Sequence, residues 1–366
     1  MSSVTHPYAE RRTRLQVALQ EEQAEAFVIH DSVNIQYLTG FFGSYGVLIV
    51  DQDSAVLITD GRYTEIAQSM VEGLPVITQP ITNVDGFFRE HFNTKSYAKT
   101  LFEATLPHSR VEKLRSYLGS ASQGLKADSS LLNTLRSVKD AGEISLIQQA
   151  AVIADKMMSL AHLYALAGTT EASLSQRIRF ASEELGGSGE SFTNIVASGP
   201  NSSRPHHKPS KRALQSGDFL TIDLGAVYQG YCSDLTRNPV IGKATNQLEA
   251  MYSACLEAQL AGVAACRAGV AGKEVDSVAR EIIASKGFGE YFVHGLGHGV
   301  GLEIHESPRL SQSSVDTLQA GNVVTVEPGI YIPGVGGVRI EDLLVVTEGE
   351  PLVLSHAPKA FTVLNH

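Results

Sequence analysis

The chain has 366 residues, 43% of them hydrophobic and 19% charged, so it is long enough for about two domains and apolar enough to bury a core in each. Its 29 Lys and Arg residues against 39 Asp and Glu give a net charge of −10, which argues against a nucleic-acid-binding protein. The three cysteines form no CxxC pair, so neither a disulfide framework nor a cysteine zinc site is expected.

The beginning of the chain is polar, and residues 1–10 lead into Arg11, Arg12 and Arg14 without an apolar segment. No run of about 18 apolar residues occurs anywhere in the sequence, which is the length a membrane-spanning helix needs. We therefore expect neither a signal peptide nor a membrane span, and we expect a cytoplasmic protein.

The first part of the chain, to about residue 120, has the pattern of an α/β unit. The apolar spacing over Ala9–Gln23 predicts a helix. Short apolar runs that predict strands follow at Ala26–His30, Gly46–Val50 and Ala55–Thr59. The small polar residues of Ser120–Ser130 predict a linker. These patterns predict an N-terminal domain over residues 1–130 and a second domain over residues 131–366.

Two similar halves follow each other in the second domain. A long helix is predicted to begin at Asp140, with Glu143 completing a capping box. A shorter helix then ends near Gly186, and the same succession recurs between Thr245 and Gly287. Two α-α-β-β halves related by a pseudo-two-fold axis would bring equivalent residues of both halves to one centre.

The strands of the two halves end in equivalent acids. The segment QSGDFLTIDLG (215–225) matches QAGNVVTVEPG (319–329), and Asp223 corresponds to Glu327 at an offset of 104. A second strand in each half carries Asp234 or Glu341. An acid at the end of a buried strand needs a cation or hydrogen-bond donors, so two matched pairs favour one shared site over isolated turn acids. Arg339, two residues before Glu341, would by itself indicate only a structural salt bridge.

Three histidines lie within FVHGLGHGVGLEIH, residues 292–305. His294 and His298 have the i,i+4 spacing of a helical zinc-peptidase pair, but alternating glycines make a helix improbable. We expect instead an extended segment that presents its histidines. One imidazole with four carboxylates is an oxygen-rich donor set that suits Mn²⁺ and tolerates Co²⁺ or Zn²⁺. Two divalent ions would offset the four negative charges, and such a centre can produce hydroxide near neutral pH.

These motifs together resemble the "pita-bread" metallopeptidases, specifically the proline-directed branch of Xaa-Pro dipeptidase (prolidase) and Xaa-Pro aminopeptidase (aminopeptidase P). The resemblance rests on IDLGA and GYCSDLTR (222–237), HGLGHGVGLEIHE (294–306), VEPGIY (326–331) and GVRIEDLL (337–344). In the first part, NIQYLTG (34–40) and TDGRY (59–63) resemble a creatinase-type N-terminal domain. The resemblance therefore implies an α+β protein with a creatinase-like α/β domain before a duplicated pita-bread domain.

The resemblance also implies a role for each matching residue. Asp223 would bind one metal, Asp234 and Glu341 would bridge both metals, and His298 and Glu327 would hold the second. Glu327 would also move the proton from water to the leaving proline nitrogen. His206 would lie near the scissile bond, and His294 and His305 would contact the substrate. Arg339 would support the bridging carboxylate. His207 stands where many relatives have glycine, so either His206 or His207 could be the active-site histidine.

The expected substrate is a di- or oligopeptide with an Xaa-Pro bond. The compact chain favours a dipeptidase, in which Arg309 would bind the free carboxylate of a dipeptide; a surface salt bridge is the alternative for Arg309. An Xaa-Pro aminopeptidase acting on longer peptides is the nearest alternative. Three further classes are less consistent with the sequence. The full ligand set argues against a metal-free creatinase-like hydrolase and against a non-catalytic binding module. The creatinase-like first domain argues against a methionine aminopeptidase. The resemblance implies a homodimer.

Overall fold

A computed structural model of the chain describes residues 8–80 and 84–364. The chain divides into two compact units, Met1–Arg136 and Ser137–His366. None of the helices among the described residues is long and apolar enough to cross a membrane.

The first unit is built on one six-stranded sheet. Its strands are β1 (Ala26–Ile29), β2 (Val47–Asp51), β3 (Ala55–Thr59), β4 (Val76–Thr78), β5 (Thr100–Glu103) and β6 (Leu125–Asp128). They stand in the order β4-β3-β2-β1-β5-β6. Strand β1 pairs antiparallel with β2 and parallel with β5. Every residue of β1 and β2 is buried, because these central strands are covered on both faces.

Helices complete the first unit. They are α1 (Tyr8–Glu21), α2 (Ser32–Thr39), α3 (Thr64–Met70), α4 (Val84–Lys95), α5 (His108–Leu118) and α6 (Leu131–Ser137). The predicted helix over 9–23 and the three predicted strands are thereby confirmed within two residues at each end. Between α4 and α5, the rings of Phe88 and Tyr117 stack with their centroids 5.3 Å apart.

The predicted linker at Ser120–Ser130 is wrong. The segment forms a short 3-10 helix, Gly119–Gly124, and then β6 at the edge of the sheet. Strand β6 pairs parallel with β5, and Leu125 lies opposite Thr100. Its composition resembles that of a linker because an edge strand leaves residues such as Lys126 exposed to water.

Asp51, at the end of β2, gives the first unit a carboxylate that can be tested by pH. The side chain is 8% exposed and pairs with Lys95 at 3.0 Å. Burial acts to raise its pKa, but hydrogen bonds from Lys95, Ser54 and Tyr97 outweigh burial and lower the pKa to about 2. A folded-state pKa below the unfolded value contributes stability above about pH 4 and loses it as the pH falls towards 2.

We therefore expect Asp51→Asn to lower the free energy of unfolding by roughly 2 kcal/mol at pH 6. Urea unfolding of the full chain, followed by circular dichroism at pH 6 and pH 3, measures this difference. The gap between variant and wild type should narrow at pH 3, and a gap that is equal at both pH values would contradict the assignment.

The second unit begins with the first of its two halves. The helices of this half are α7 (Ala141–Tyr164) and α8 (Glu171–Glu184). Its strands are β7 (Gly189–Glu190), β8 (Ile195–Ser198), β9 (Leu220–Leu224), β10 (Ala226–Tyr228), β11 (Tyr231–Cys232), β12 (Leu235–Arg237) and β13 (Val240–Ile241). Asp140 and Glu143 form the predicted capping box at the start of α7. Met157, Ile178 and Ile222 belong to one buried cluster that joins α7, α8 and β9.

The second half repeats this order. Its helices are α9 (Asn246–Ala265) and α10 (Gly272–Ser285). Its strands are β14 (Gly297–Gly299), β15 (Glu306–Leu310), β16 (Val323–Val326), β17 (Gly329–Ile332), β18 (Gly336–Arg339), β19 (Asp342–Val345), β20 (Leu352–Val353) and β21 (Val363–Leu364). Ala258, Ala279 and Val324 share a buried cluster across α9, α10 and β16. The predicted pair of helices followed by an acid-bearing strand is thus confirmed in both halves.

The second strand predicted to carry Glu341 is interrupted at that residue. Strand β18 ends at Arg339 and pairs with β17, whereas β19 begins at Asp342 and pairs with β16. Between them, the backbone N–H of Glu341 donates to the carbonyl oxygen of Thr236. The break transfers the chain from one sheet to another at the position of a predicted ligand.

Candidate metal centre

The strands place the four predicted acids in two equivalent pairs. Asp223 lies in β9 and faces Thr236 of β12, which is two residues beyond Asp234. In the other half, Glu327 directly follows β16 and Glu341 directly precedes β19, in which Asp342 pairs with Val326 of β16. Each pair thus comes from two adjacent antiparallel strands, because the duplicated sequence folds the same way twice.

Three of the predicted ligands form a tight group. Single ligand atoms of Asp234, His298 and Glu341 all lie within 4.8 Å of one another, and the three residues are buried. The Nε2 atom of His298 lies 3.7 Å from Asp234 Oδ2 and 3.3 Å from Glu327 Oε1. Asp223 stands outside this group and lines the same cavity.

Crowding of the acids shows in their pKa values. Burial and the charges of Glu341 and Asp223 raise the pKa of Asp234 well above its usual range. Burial and the charge of Glu327 do the same for Glu341. Burial acts to raise the pKa of Glu327 too, but the hydrogen bond and charge of His298 lower it to about 2. The group as a whole carries more buried negative charge than its protein neighbours offset, which is an environment that favours cations.

The donor atoms fit divalent cations. His298 Nδ1 lies 3.0 Å from the carbonyl oxygen of Gly299, which can only accept, so Nδ1 donates to it and Nε2 is the ring nitrogen that faces the acids and would bind a cation in place of its hydrogen. This is the arrangement in which a metal-binding histidine is held by its other nitrogen. Asp223 Oδ1 and Asp234 Oδ1 are buried and have no hydrogen-bond partner among the described residues, although buried polar atoms are normally paired.

Glycines allow the backbone to present His298. A Cβ atom on Gly297 would overlap the carbonyl oxygen of Thr325, and one on Gly299 would overlap that of Ser307. Strand β14 therefore lies unusually close to both of its neighbours, β15 and β16. The expectation of an extended segment in place of a zinc-binding helix is confirmed.

Arg339 connects Asp223 to a chain of hydrogen bonds. Its Nη2 donates to Asp223 Oδ2 at 2.6 Å, its Nη1 to Tyr331 Oη at 2.7 Å, and its Nε to Thr236 Oγ1 at 3.2 Å. Thr236 in turn donates to Glu341 Oε2 at 2.6 Å. Sequence reasoning missed both Tyr331 and Thr236; their only signal was their position inside the VEPGIY and GYCSDLTR motifs.

The same chain of hydrogen bonds fixes His294. Tyr331 Oη lies 3.0 Å from His294 Nε2, and His294 Nδ1 lies 2.8 Å from the carbonyl oxygen of Gly295. Nδ1 must donate to that carbonyl, so Nε2 accepts from the tyrosine hydroxyl. Both ring nitrogens of His294 are therefore engaged within the protein.

A cavity of about 740 Å³ opens over the acids. Its lining includes all the predicted ligands and each of the other predicted site residues, together with apolar side chains such as Phe192, Ile195 and Ile304. A cavity lined by several polar groups together with apolar side chains is typical of a small-ligand or peptide site.

The two neighbouring histidines differ in environment. His206 is exposed, whereas His207 is buried with its Nε2 2.9 Å from Glu171 Oε2. His305 is exposed, and its ring centroid lies 4.4 Å from that of His298. Arg309 lies opposite His298 on β15, and its guanidinium forms no ion pair with any residue in the described ranges. The surface salt bridge considered for Arg309 is thus not found.

Comparison with known proteins identifies similar chains over nearly the whole length. Residues 145–348 match the model of metallopeptidase family M24, and residues 11–138 match the creatinase/prolidase N-terminal domain. The Xaa-Pro dipeptidase of Pyrococcus furiosus is 38% identical over 93% of this chain and 95% of its own. A putative Xaa-Pro aminopeptidase of Mycoplasma pneumoniae is 39% identical over 94% and 96%. The structure of an Xaa-Pro dipeptidase from Bacillus anthracis superposes with a TM-score of 0.94 at 36% identity, covering 98% of this chain and 100% of the other.

Proposed function

Because this chain belongs to metallopeptidase family M24 and carries that family's creatinase/prolidase N-terminal domain, we propose that it is a dinuclear metal-dependent peptidase that hydrolyses Xaa-Pro bonds, specifically an Xaa-Pro dipeptidase. The observation that carries the proposal is that four acids and His298 line one cavity. The similar proteins named as Xaa-Pro dipeptidases support the same substrate class.

Two divalent ions are proposed as the cofactor. Asp223 would hold one ion, Asp234 and Glu341 would bridge the two, and His298 and Glu327 would hold the other. The oxygen-rich donor set favours Mn²⁺, with Co²⁺ or Zn²⁺ as substitutes. When bound, such ions acidify a water molecule and polarise a carbonyl group.

The protein's own residues are proposed to handle the substrate and the proton. The Glu327 carboxylate accepts a proton from the attacking water and delivers it to the proline nitrogen, which has no hydrogen of its own in the peptide. His206 or His305 donates to the oxygen of the scissile carbonyl, where negative charge develops. Arg339 keeps Asp223 oriented through its hydrogen bond. The predicted substrate contact of His294 would use its ring edge or face, since both nitrogens are engaged.

Arg309 is proposed to bind the free carboxylate of a dipeptide. It lines the cavity, it is exposed, and its charge is unopposed by an ion pair among the described residues. A hydrogen bond to a charged group contributes about 1.5–3 kcal/mol. We therefore expect Arg309→Ala to lower kcat/KM for an Xaa-Pro dipeptide by about 10–100-fold, with a smaller effect on an Xaa-Pro-Yaa tripeptide.

A panel of peptides of two, three and five residues tests the proposal after chelation and reconstitution with Mn²⁺, Co²⁺ or Zn²⁺. The dipeptide should be the best substrate of the wild-type protein. Arg309→Lys is the matched control, because it keeps the charge but loses the two-pronged geometry. A wild-type preference for the tripeptide would overturn the dipeptidase assignment.

An Xaa-Pro aminopeptidase is the second candidate. The similarity to the Mycoplasma pneumoniae protein, at 39% identity, favours it as directly as the dipeptidase matches favour the first candidate. In that case the longer peptides should be cleaved faster, and Arg309→Ala should affect short and long peptides equally.

A homodimer in the cytoplasm completes the proposal. The support for the dimer is the resemblance of the first unit to the creatinase-type N-terminal domain, and the match of residues 11–138 agrees with that resemblance. Sedimentation equilibrium of the purified protein at several concentrations measures the oligomeric state.

A further inference from the structure

One carboxylate outside the metal centre is more completely hydrogen-bonded than a helix N-terminus requires. Glu171 is the first residue of α8, and it is fully buried. An acid at this position usually points to water and interacts only with the helix dipole. Here the side chain instead faces the segment 198–210, which contains both His206 and His207.

In the part of the chain that the structure describes, all the side-chain hydrogen bonds of Glu171 come from that segment. Oε1 accepts from the backbone N–H and the hydroxyl of Ser198, each at 2.7 Å, and from Asn201 Nδ2 at 3.0 Å. Oε2 accepts from the backbone N–H of Ser210 at 3.0 Å, from its hydroxyl at 2.6 Å, and from His207 Nε2 at 2.9 Å. The two oxygens thus hold the beginning and the end of the segment at one point.

The charge of Glu171 suits this role. Burial acts to raise its pKa, but the hydrogen bonds of Ser210, Ser198, Asn201 and His207 outweigh burial and lower the pKa to about 2. A carboxylate that accepts from several donors is stable as an anion in the interior, because its donors replace the lost water. Among the described residues no Lys or Arg donates directly to the Glu171 carboxylate, and Arg212 reaches it through Ser198, whose hydroxyl oxygen accepts from Arg212 Nη1 at 2.6 Å.

The segment between the two anchors places the histidines on opposite sides. His207 is turned inwards to Glu171, while its neighbour His206 is exposed and lines the cavity. The inward histidine can donate from Nε2 to the carboxylate in its neutral or charged form. A residue that fixes its neighbour in this way reduces the freedom of the exposed side chain.

We propose that Glu171 is a positioning residue which, together with His207, holds the segment 198–210 so that His206 faces the scissile bond. This inference rests on the proposed peptidase function and extends it, because it assigns His206 to the substrate and His207 to the support of the segment. Glu171 touches none of the predicted metal ligands through the hydrogen bonds given above, so its effect on catalysis passes through His206.

Glu171→Gln is the direct test, because it keeps the size of the side chain. The amide has one accepting oxygen, and its NH₂ group would face donors that it cannot accept from. A displacement of about 1 Å at a reacting group can cost about 100-fold, so we expect kcat for an Xaa-Pro dipeptide to fall by 10–100-fold. Metal content should stay at the wild-type value, since the ligands are intact.

A double-mutant cycle distinguishes positioning from a merely structural role. His206→Ala should lower kcat, and adding Glu171→Gln to it should produce little further loss, because the residue to be positioned is gone. If the fold-loss in kcat of the double variant equalled the product of the two single losses, the proposal would be overturned. His207→Gln retains a donor and should keep most of the activity that His207→Ala loses; equal losses, with the segment unchanged, would assign the substrate contact to His207.

Hydrogen exchange of the segment gives a readout that does not depend on activity. The amides of Ser198 and Ser210 both donate to Glu171, so Glu171→Gln should speed their exchange whether or not Xaa-Pro peptides are substrates. Unchanged exchange would overturn the positioning role, while an inactive wild-type protein would overturn only the peptidase proposal. If Glu171→Gln fails to fold, Ser210→Ala removes the hydroxyl donor alone and should produce smaller changes in kcat and in amide exchange in the same direction.

Discussion

Glu341→Gln is expected to abolish metal binding and peptidase activity while leaving the protein folded. Glu341 belongs to the tight group with Asp234 and His298, and it is proposed to bridge both ions. Even the loss of a residue that merely supports a ligand typically costs 10–100-fold in metal affinity or activity. Removal of a bridging carboxylate should therefore exceed about 100-fold in both, as measured by metal analysis after dialysis and by dipeptide hydrolysis.

In the metal-free protein, Glu341→Gln should leave the stability unchanged or raise it. The charges of Glu327 and Asp223 crowd Glu341 in the buried group, and like charges at short range destabilise one another. The neutral amide of glutamine relieves this repulsion, so the variant should unfold in EDTA at the same or a higher temperature than wild type. Only the wild type should then gain stability when Mn²⁺ is added.

Glu348→Gln is the control, since Glu348 is exposed in the loop after β19. It should leave both metal content and activity unchanged. If Glu341→Gln retained full metal content and turnover, the bridging role would be wrong. If the wild-type protein bound no metal at all, a metal-free creatinase-like hydrolase or a binding module would become the better explanation.

Arg339→Met is expected to destabilise the metal-free protein strongly. The Arg339 side chain is 4% exposed, and its guanidinium donates to Asp223, Tyr331 and Thr236. Removing one partner of a buried ion pair typically costs 3–5 kcal/mol, because the other charge is left uncompensated. Urea unfolding in EDTA should show a loss of about 3–5 kcal/mol.

Bound metal should rescue part of this loss, because a cation can compensate Asp223 when the arginine cannot. The stabilisation by Mn²⁺ should thus be larger in Arg339→Met than in wild type at saturating metal. Arg115→Met is the matched control: Arg115 forms an exposed pair with Glu112, 2.7 Å apart, and exposed pairs contribute about 0–1 kcal/mol. Equal losses in the two variants would contradict the buried network.

The metal centre could be predicted because its residues occupy strand ends that the sequence repeats. Asp223 and Glu327 follow apolar runs of the same length, and an acid there has few structural explanations. The glycines around His298 likewise excluded a helix, because so many glycines disfavour a helix and indicate close contact between backbone segments. Patterns of this kind are local, so they remain visible without the structure.

Other features depend on contacts between distant residues. Glu171 has the sequence signature of an ordinary acid at a helix start, and its partners lie 27–39 residues further along the chain. The edge strand β6 and the break at Glu341 were missed for a related reason: exposure and a change of sheet are set by neighbouring strands. The environment of His207 was equally unpredictable, because nothing in its own segment indicates a buried acid.

The duplicated halves contribute unequally to the centre. Strand β8 pairs with β9 as β14 pairs with β16, so Ser198 corresponds to Gly299 and Ala197 corresponds to His298. Ala197 is buried and has no side-chain atom that can bind a cation. Only one half thus supplies an imidazole, whereas both supply paired acids. An ancestral single half could have formed a comparable cluster only by self-association, with two identical coordination environments. The difference at this one position makes the two environments chemically unequal, because only one of them includes a nitrogen ligand.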